Sequence, residues 1–358
     1  MGVSGKLEEV VPFALMVTME GCTIGLTILA KTATNGGMSP FVFIVYTNTI
    51  GSIILLPYSF LFHRERIEQS LFTLPLLLRI FFLGLTGIAI AQNCAFLGLY
   101  YSSPIVVCVM GLMIPAISFM LSLILRTTKA DWKSSSIRVK VIGTLISIMG
   151  AVTVEIYKGP LIREASYSQL QAQKPPLFVF YSTPDRWVLG GILLAASSLS
   201  VSVWNNIQLG TMRQYPQVMK VVSSYSLVGT LQCAIISLIV ERDLKAWKLK
   251  LNNDLLLIVV TAIFGSIIRT SVHVVCSRMK GPFYVAMFKP FGIVIATIFG
   301  VSFFTNALHY GSVIGAIVTG MGYYTVMWGQ ITEQDELRKG KNIESDEKVP
   351  LLQEENEV

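Results

Sequence analysis

The sequence is short of charge. Only 14% of its 358 residues are Asp, Glu, Lys or Arg, against about 25% in an ordinary soluble domain. Hydrophobic residues make up 53% and the mean hydropathy is +0.63. That balance excludes a soluble enzyme and indicates a polytopic membrane protein. Period-two alternation is missing, which excludes a membrane β-barrel as well. No GxxxxGK[ST] run occurs, so no Walker loop is there to couple the chain to ATP. HExxH and Ser-His-Asp arrangements are absent, leaving no visible catalytic apparatus, and there is no Asn-x-Ser/Thr glycosylation acceptor.

Cysteine and histidine are sparse. Cys22, Cys94, Cys108, Cys233 and Cys276 all fall in apolar runs and form no CxxC pair. They read as small packing residues and not as disulfides or ligands. His63, His273 and His309 are far apart in sequence, so neither a metal nor any other cofactor is expected. The formal net charge of +7 sits in loops and tails. In a membrane protein such charge sets orientation first, and nucleic-acid binding is not expected.

Long apolar runs are what the chain has. Ten are expected as membrane helices: Val10–Ala30, Phe41–Phe62, Leu76–Phe96, Ser103–Leu125, Val139–Tyr157, Trp187–Gln208, Gln217–Val240, Leu255–Cys276, Pro282–Phe304 and Leu308–Trp328. Each has 19 to 24 residues, enough to cross the bilayer with some tilt. The first run is too long for a signal-peptide core and follows Glu8 and Glu9, so it reads as a signal anchor. With the N-terminus inside, 16 loop and tail cations face the cytoplasm and nine face out, so both termini are expected to be cytoplasmic.

The expected organisation is a cytoplasmic segment at 1–9, a five-helix half at 10–157, a loop at 158–186, a second half at 187–328, and a disordered tail at 329–358. Five helices per half invert the second half in the membrane. Small residues recur in matching places. Gly143, Ser147 and Ala151 in the fifth run align with Gly311, Gly315 and Thr319 in the tenth, and four-residue spacing of small residues lets helices approach closely. Pro115 in the fourth run and Pro290 in the ninth mark breaks or kinks. The tail contains Glu347-Lys-Val-Pro-Leu-Leu352, an acidic dileucine pattern of the kind sorting adaptors read.

Polar groups at membrane depth are the functional candidates, because each costs several kcal/mol unless paired or hydrated. Glu20 lies midway along the first run and could hold a substrate ammonium or a coupling proton, or be part of a structural ion pair. Arg269 and His273 share one face of the eighth run. Arg269 suits a carboxylate, or a bridge to Glu20. Lys289 precedes Pro290 and could hold a carboxylate or snorkel to a headgroup. Gln92, Asn93, Asn205 and Gln208 could bind a zwitterion or fasten helices together. Trp204 and Tyr284 could line an apolar wall.

Several stretches carry a family resemblance: Lys140-x-x-Gly143-Thr144…Tyr157-Lys158-Gly159-Pro160, Trp204…Gln208…Tyr215-Pro216, Glu241-Arg242-Asp243…Trp247, Gly281-Pro282…Phe288-Lys289-Pro290, and Gly311-Ser312-Val313-Ile314-Gly315…Trp328-Gly329. In this order and spacing the chain resembles the plant nodulin-21-like, walls-are-thin-related EamA-type transporters (the UMAMIT family of the drug/metabolite transporter superfamily) from Val11 to Gly329. The resemblance implies an all-α fold of ten transmembrane helices as two inverted five-helix EamA-type repeats around a central cavity. It also implies an exporter or facilitator of small solutes: amino acids at the plasma membrane, or auxin or another aromatic carboxylate, with the vacuolar membrane as the alternative address. A signalling or scaffold protein would need no such repeat. The sequence departs from the family pattern at Glu20, Tyr46-Thr47, Thr128 and Asn306.

Overall fold

The computed structural model describes residues 3–62, 73–125, 134–156, 187–215, 218–249, 252–280, 282–303 and 310–347. The loop 158–186, His63, His309, Thr128, Asn306, and the part of the sorting pattern from Lys348 onward lie outside them. The described residues are helical and contain no strand.

In chain order they form α1 (Val3–Asn35), α2 (Pro40–Phe62), α3 (Leu74–Gly84), α4 (Ala91–Tyr101), α5 (Pro104–Leu112), α6 (Ile114–Ile124), α7 (Ser135–Ile156), α8 (Trp187–Gln214), α9 (Val218–Val240), α10 (Asn253–Ile263), α11 (Arg269–Lys280), α12 (Pro282–Met287), α13 (Phe291–Phe303) and α14 (Tyr310–Glu347). Wider π-helical turns join α3 to α4 at Leu85–Ile90 and α10 to α11 at Phe264–Ile268. Among the described residues, eight helical stretches of 18 to 28 residues are long and apolar enough to cross a membrane. A shorter apolar stretch, broken between α12 and α13, covers Tyr284–Phe299.

Discontinuities recur at equivalent places along the chain. The third and eighth apolar stretches each carry a π-helical turn, and the fourth and ninth are each broken beside a proline. Met113 separates α5 from α6 just ahead of Pro115, while Phe288–Pro290 separates α12 from α13. A broken helix in an apolar solvent must find partners for its freed carbonyls. In the first half, serines of α8 supply them. Ser198 donates to Met110 O at 2.7 Å and Ser202 to Ile114 O at 3.1 Å, while Ser197 and Ser200 donate to Ala91 O and Thr86 O around the π turn, both at 2.8 Å.

Among the described residues, the two largest of four interior clusters each mix elements from both halves of the chain. Ile24, Val109, Ala151, Ala296, Ala316 and Tyr323 join α1, α5, α7, α13 and α14. Ile44, Ile80, Leu83, Val221 and Tyr225 join α2, α3 and α9. In lipid, packing and hydrogen bonds, not water exclusion, drive such association.

The tightest seam is between α7 and α14. A Cβ on Gly143 would stand 2.7 Å from Val326 N, and one on Gly150 would stand 2.8 Å from Gly315 O and closer still to Thr319. Ser147 faces Gly322, and Val154 faces Gly315. The fifth and tenth runs therefore meet through small residues, though not position for position as aligned: Gly143 faces Val326, Ser147 faces Gly322, and Gly315 and Thr319 face Gly150. Gly311 is buried at the start of α14.

Three sequence expectations are corrected. Lys31, counted as a loop cation, lies in an α1 that continues to Asn35 and is 3% exposed. Its Nζ donates to Leu99 O at 2.7 Å and to Tyr100 O, where the C-terminus of α4 leaves carbonyls unpaired and attracts a cation. Lys140, also counted as a loop cation, is buried against Phe119 and paired with Glu333 at 2.9 Å. The segment past Gln330 remains helical to Glu347, where disorder was expected. Its Glu, Gln, Leu, Arg and Lys residues are good helix formers, and the Lys140–Glu333 pair fastens its start to α7.

Candidate functional site

The break between α12 and α13 places Lys289. Around Pro290 the backbone winds with i+3 bonds: Lys289 N to Ala286 O (3.1 Å), Phe291 N to Phe288 O (3.0 Å), Gly292 N to Lys289 O (3.1 Å) and Ile293 N to Pro290 O (3.1 Å). Pro290 has no N–H to return to Ala286 O. Two tyrosines of α14 complete the account: Tyr323 Oη donates to Ala286 O at 2.6 Å and Tyr324 Oη to Met287 O at 3.0 Å. Each such bond contributes about 1 kcal/mol net, so the break is a supported structure and not a frayed end.

Lys289 points its Nζ at Glu20 Oε1, 3.1 Å away. The carboxylate is buried, with 6% of its side chain exposed, whereas the lysine side chain is 43% exposed. Lys289 thus pairs with an acid and does not snorkel alone. Arg269 begins α11 immediately after the π turn, where Thr270 Oγ1 reaches back five residues to Gly265 O at 3.2 Å. Its side chain is half-buried and acts electrostatically on Glu20. Among the described residues it has no hydrogen-bond or ion-pair partner, so the expected alternative of an Arg269–Glu20 bridge is taken by Lys289 instead. One turn on, His273 lies within electrostatic reach of both Lys289 and Arg269, and its Nε2 is buried without a partner. Cys108 of α5 and Tyr323 also lie within electrostatic reach of Glu20.

The three charges sit at similar depth. Glu20, Arg269 and Lys289 are ten, eight and seven residues from Val10, Ser277 and Pro282 respectively. At 1.5 Å per residue those are depths of about 15, 12 and 10 Å, well inside a hydrocarbon core about 30 Å thick.

Tyr284 stands beside this group through Phe288, 5.0 Å away between ring centroids, in an aromatic patch with Phe13 and Phe291. The other candidates fall elsewhere. Gln92 accepts a bond from Asn48 at 2.6 Å, tying α4 to α2. Asn93 donates to Ala89 O and to Cys233 Sγ of α9, and its Oδ1 is buried without a partner. Trp204 packs on Gly87 of the π turn and against Tyr225, 6.1 Å between centroids, with Nε1 buried and unpartnered. Asn205 and Gln208 are half-buried on α8. All five cysteines are free, and among the described residues no cluster of ligating side chains could hold a metal.

Sequence reasoning missed the α8 serines and the carbonyl-binding role of Tyr323 and Tyr324. Signals for both were present: four serines within Ser197–Ser202 of an apolar run, and a tyrosine pair in a helix that follows a Lys-Pro break.

An all-helical apolar bundle with broken helices and a charged centre at membrane depth defines a multi-pass membrane protein of transporter type. Comparison with known proteins makes the class specific. The pattern of the EamA-like transporter family matches residues 14–155. The WAT1-related protein At1g70260 of Arabidopsis thaliana is 57% identical over 100% of this chain and 100% of that protein. WAT1-related protein At1g60050 of the same plant is also 57% identical, over 97% of this chain and 96% of its own length. The chain belongs to the plant WAT1-related, EamA-type transporter family. A protein of known crystal structure, 14% identical, shares the fold with a TM-score of 0.51 over 89% of this chain and 96% of its own. Membership points to a transporter and not to an enzyme.

Proposed function

We propose that this protein is an alternating-access carrier of small organic solutes, with amino acids as the first substrate class. The observation that carries this reading is the Glu20–Lys289 pair at a supported helix break, beside an Arg269 with no partner among the described residues. Discontinuous helices at depth are how many transporters present polar groups to a solute. In this reading Lys289 or Arg269 takes the substrate carboxylate, and Glu20 takes the ammonium or a coupling proton.

The arrangement is ten transmembrane helices as two inverted five-helix repeats, with both termini cytoplasmic. The π turns of the third and eighth stretches and the breaks of the fourth and ninth support the repeat. The plasma membrane is the proposed address and the vacuolar membrane the alternative, with a sorting adaptor at Glu347–Leu352 as a partner.

A second reading, auxin or another aromatic carboxylate, is favoured by one observation: Tyr284, Phe288 and Phe291 form an aromatic patch next to Lys289. Flux of a panel of labelled amino acids and indole-3-acetate into liposomes holding the purified protein separates the two. Saturable amino-acid flux well above empty liposomes is the expected result. Indole-3-acetate flux alone would replace the first reading with the second, and no flux of any solute under any gradient would remove both.

A further inference from the structure

The charge balance of the site narrows the substrate class beyond amino acids in general. Three ionic side chains form one electrostatic group: Glu20 from α1 and, within electrostatic reach of its carboxylate, Lys289 from the α12–α13 break and Arg269 from the end of the π turn. Two are cations and one is an acid. Glu20 is in contact with Lys289 at 3.1 Å, and Arg269, which feels Glu20 only at longer range, is left with no ion-pair partner among the described residues. An arginine at this depth with no ion-pair partner among the described residues is costly, and its planar fork is shaped for a carboxylate. The buried, unpartnered Nε2 of His273, one turn from Arg269 on the same helix face, is available to hydrogen-bond the same group.

A solute that satisfies the whole centre carries the opposite set: one ammonium and two carboxylates. An ordinary zwitterion can exchange partners with the Glu20–Lys289 pair, its ammonium taking Glu20 and its carboxylate taking Lys289, but it leaves Arg269 bare. We propose that the preferred substrates are acidic amino acids, aspartate or glutamate, and that Arg269 is the specificity-determining residue that receives the second carboxylate. This rests on the amino-acid reading given under the proposed function. Lys289 serves the α-carboxylate because its half-open side chain can turn from Glu20 to an incoming solute. Glu20 serves the ammonium, and its burial makes that contact selective.

Glutamate and glutamine are nearly isosteric and differ in the charge of the second group, so their ratio reads this contact directly. Uptake of labelled glutamate, glutamine, aspartate and asparagine is measured in the same liposome preparation, with succinate as an unlabelled competitor. A charge-assisted contact in a partly dry site predicts transport efficiency for each acid above its amide on the order of tenfold or more. Arg269→Gln is expected to erase that ratio, whereas Arg269→Lys, which keeps the cation and loses the fork, retains part of it. Succinate, with two carboxylates and no ammonium, is expected to compete more weakly than aspartate.

If wild-type protein carries glutamine as well as glutamate, the inference falls while the amino-acid carrier stands. An acid-to-amide ratio that survives Arg269→Gln also overturns it, because another group then reads the second carboxylate. Should succinate compete as strongly as aspartate, the assignment of Glu20 to the ammonium is wrong. A complete lack of amino-acid flux removes the reading beneath the inference and the inference with it. The wild-type ratio needs no variant to fold, so the test stands even if Arg269→Gln does not.

Discussion

Glu20→Gln is expected to reduce solute flux at least about a hundredfold while the protein still folds. Glutamine keeps the size of the side chain and can still accept a hydrogen bond from Lys289, but it removes the one carboxylate that, among the described residues, converges on the centre. In the proposed carrier the substrate ammonium then loses its charged partner. Losing that charge-assisted contact costs about 3 kcal/mol, and each 1.4 kcal/mol is a factor of about ten. The effect on stability is smaller, about 1–2 kcal/mol, because glutamine still accepts a hydrogen bond from Lys289. Flux per milligram of monodisperse protein separates the two effects. Unchanged flux would demote Glu20 to a structural pair.

The second large effect is on folding. Gly150→Leu is expected to cost about 3 kcal/mol or more, enough to lower the yield of folded protein sharply. Gly150 lies where α7 and α14 touch backbone to backbone. Its Cβ would stand 2.8 Å from Gly315 O and nearer still to Thr319, so no side-chain rotation can make room. The helices must separate, and the contact runs from Gly143 opposite Val326, through Ser147 and Gly322, to Val154 opposite Gly315. Gly320 on α14 is the control, because a Cβ there meets nothing within 4 Å. Gly320→Ala is expected to be neutral or to stabilise by about 0.5–1 kcal/mol through helix propensity. Thermal unfolding in detergent compares the two. Equal melting temperatures would show that the seam does not hold the bundle.

Much of this was legible in the sequence where the signal is local. The apolar runs marked the helices to within a few residues at most ends. Pro115 and Pro290 marked the breaks because a missing N–H acts at its own position. Glu20, Arg269, His273 and Lys289 stood out because ionisable groups are rare in apolar runs.

Pairing was not legible. Glu20 and Lys289 are far apart in the chain, and only the fold decides that Lys289, and not Arg269, takes the carboxylate. Lys31 and Lys140 looked like loop cations because hydropathy reads where an apolar run ends and not where the helix ends. One binds the carbonyls at the end of α4, and the other binds Glu333. Gln92 and Asn93 have amides like those of a binding site, yet they bond Asn48 and Cys233 and fasten helices. Small residues of the fifth and tenth runs stood out by their spacing, but which of them meet, Ser147 with Gly322 and Gly150 with Gly315 and Thr319, appears only when α7 is laid against α14.

Counterflow tests the central claim, that this is a carrier working by alternating access around the Glu20–Lys289–Arg269 centre. Liposomes holding the wild-type protein are loaded with unlabelled amino acid, and entry of a trace of labelled amino acid is followed. A carrier predicts transient accumulation above the outside concentration, driven by exit of the unlabelled solute, and predicts its loss in Glu20→Gln. Labelled solute that only equilibrates, at a rate indifferent to what is loaded inside, would contradict alternating access.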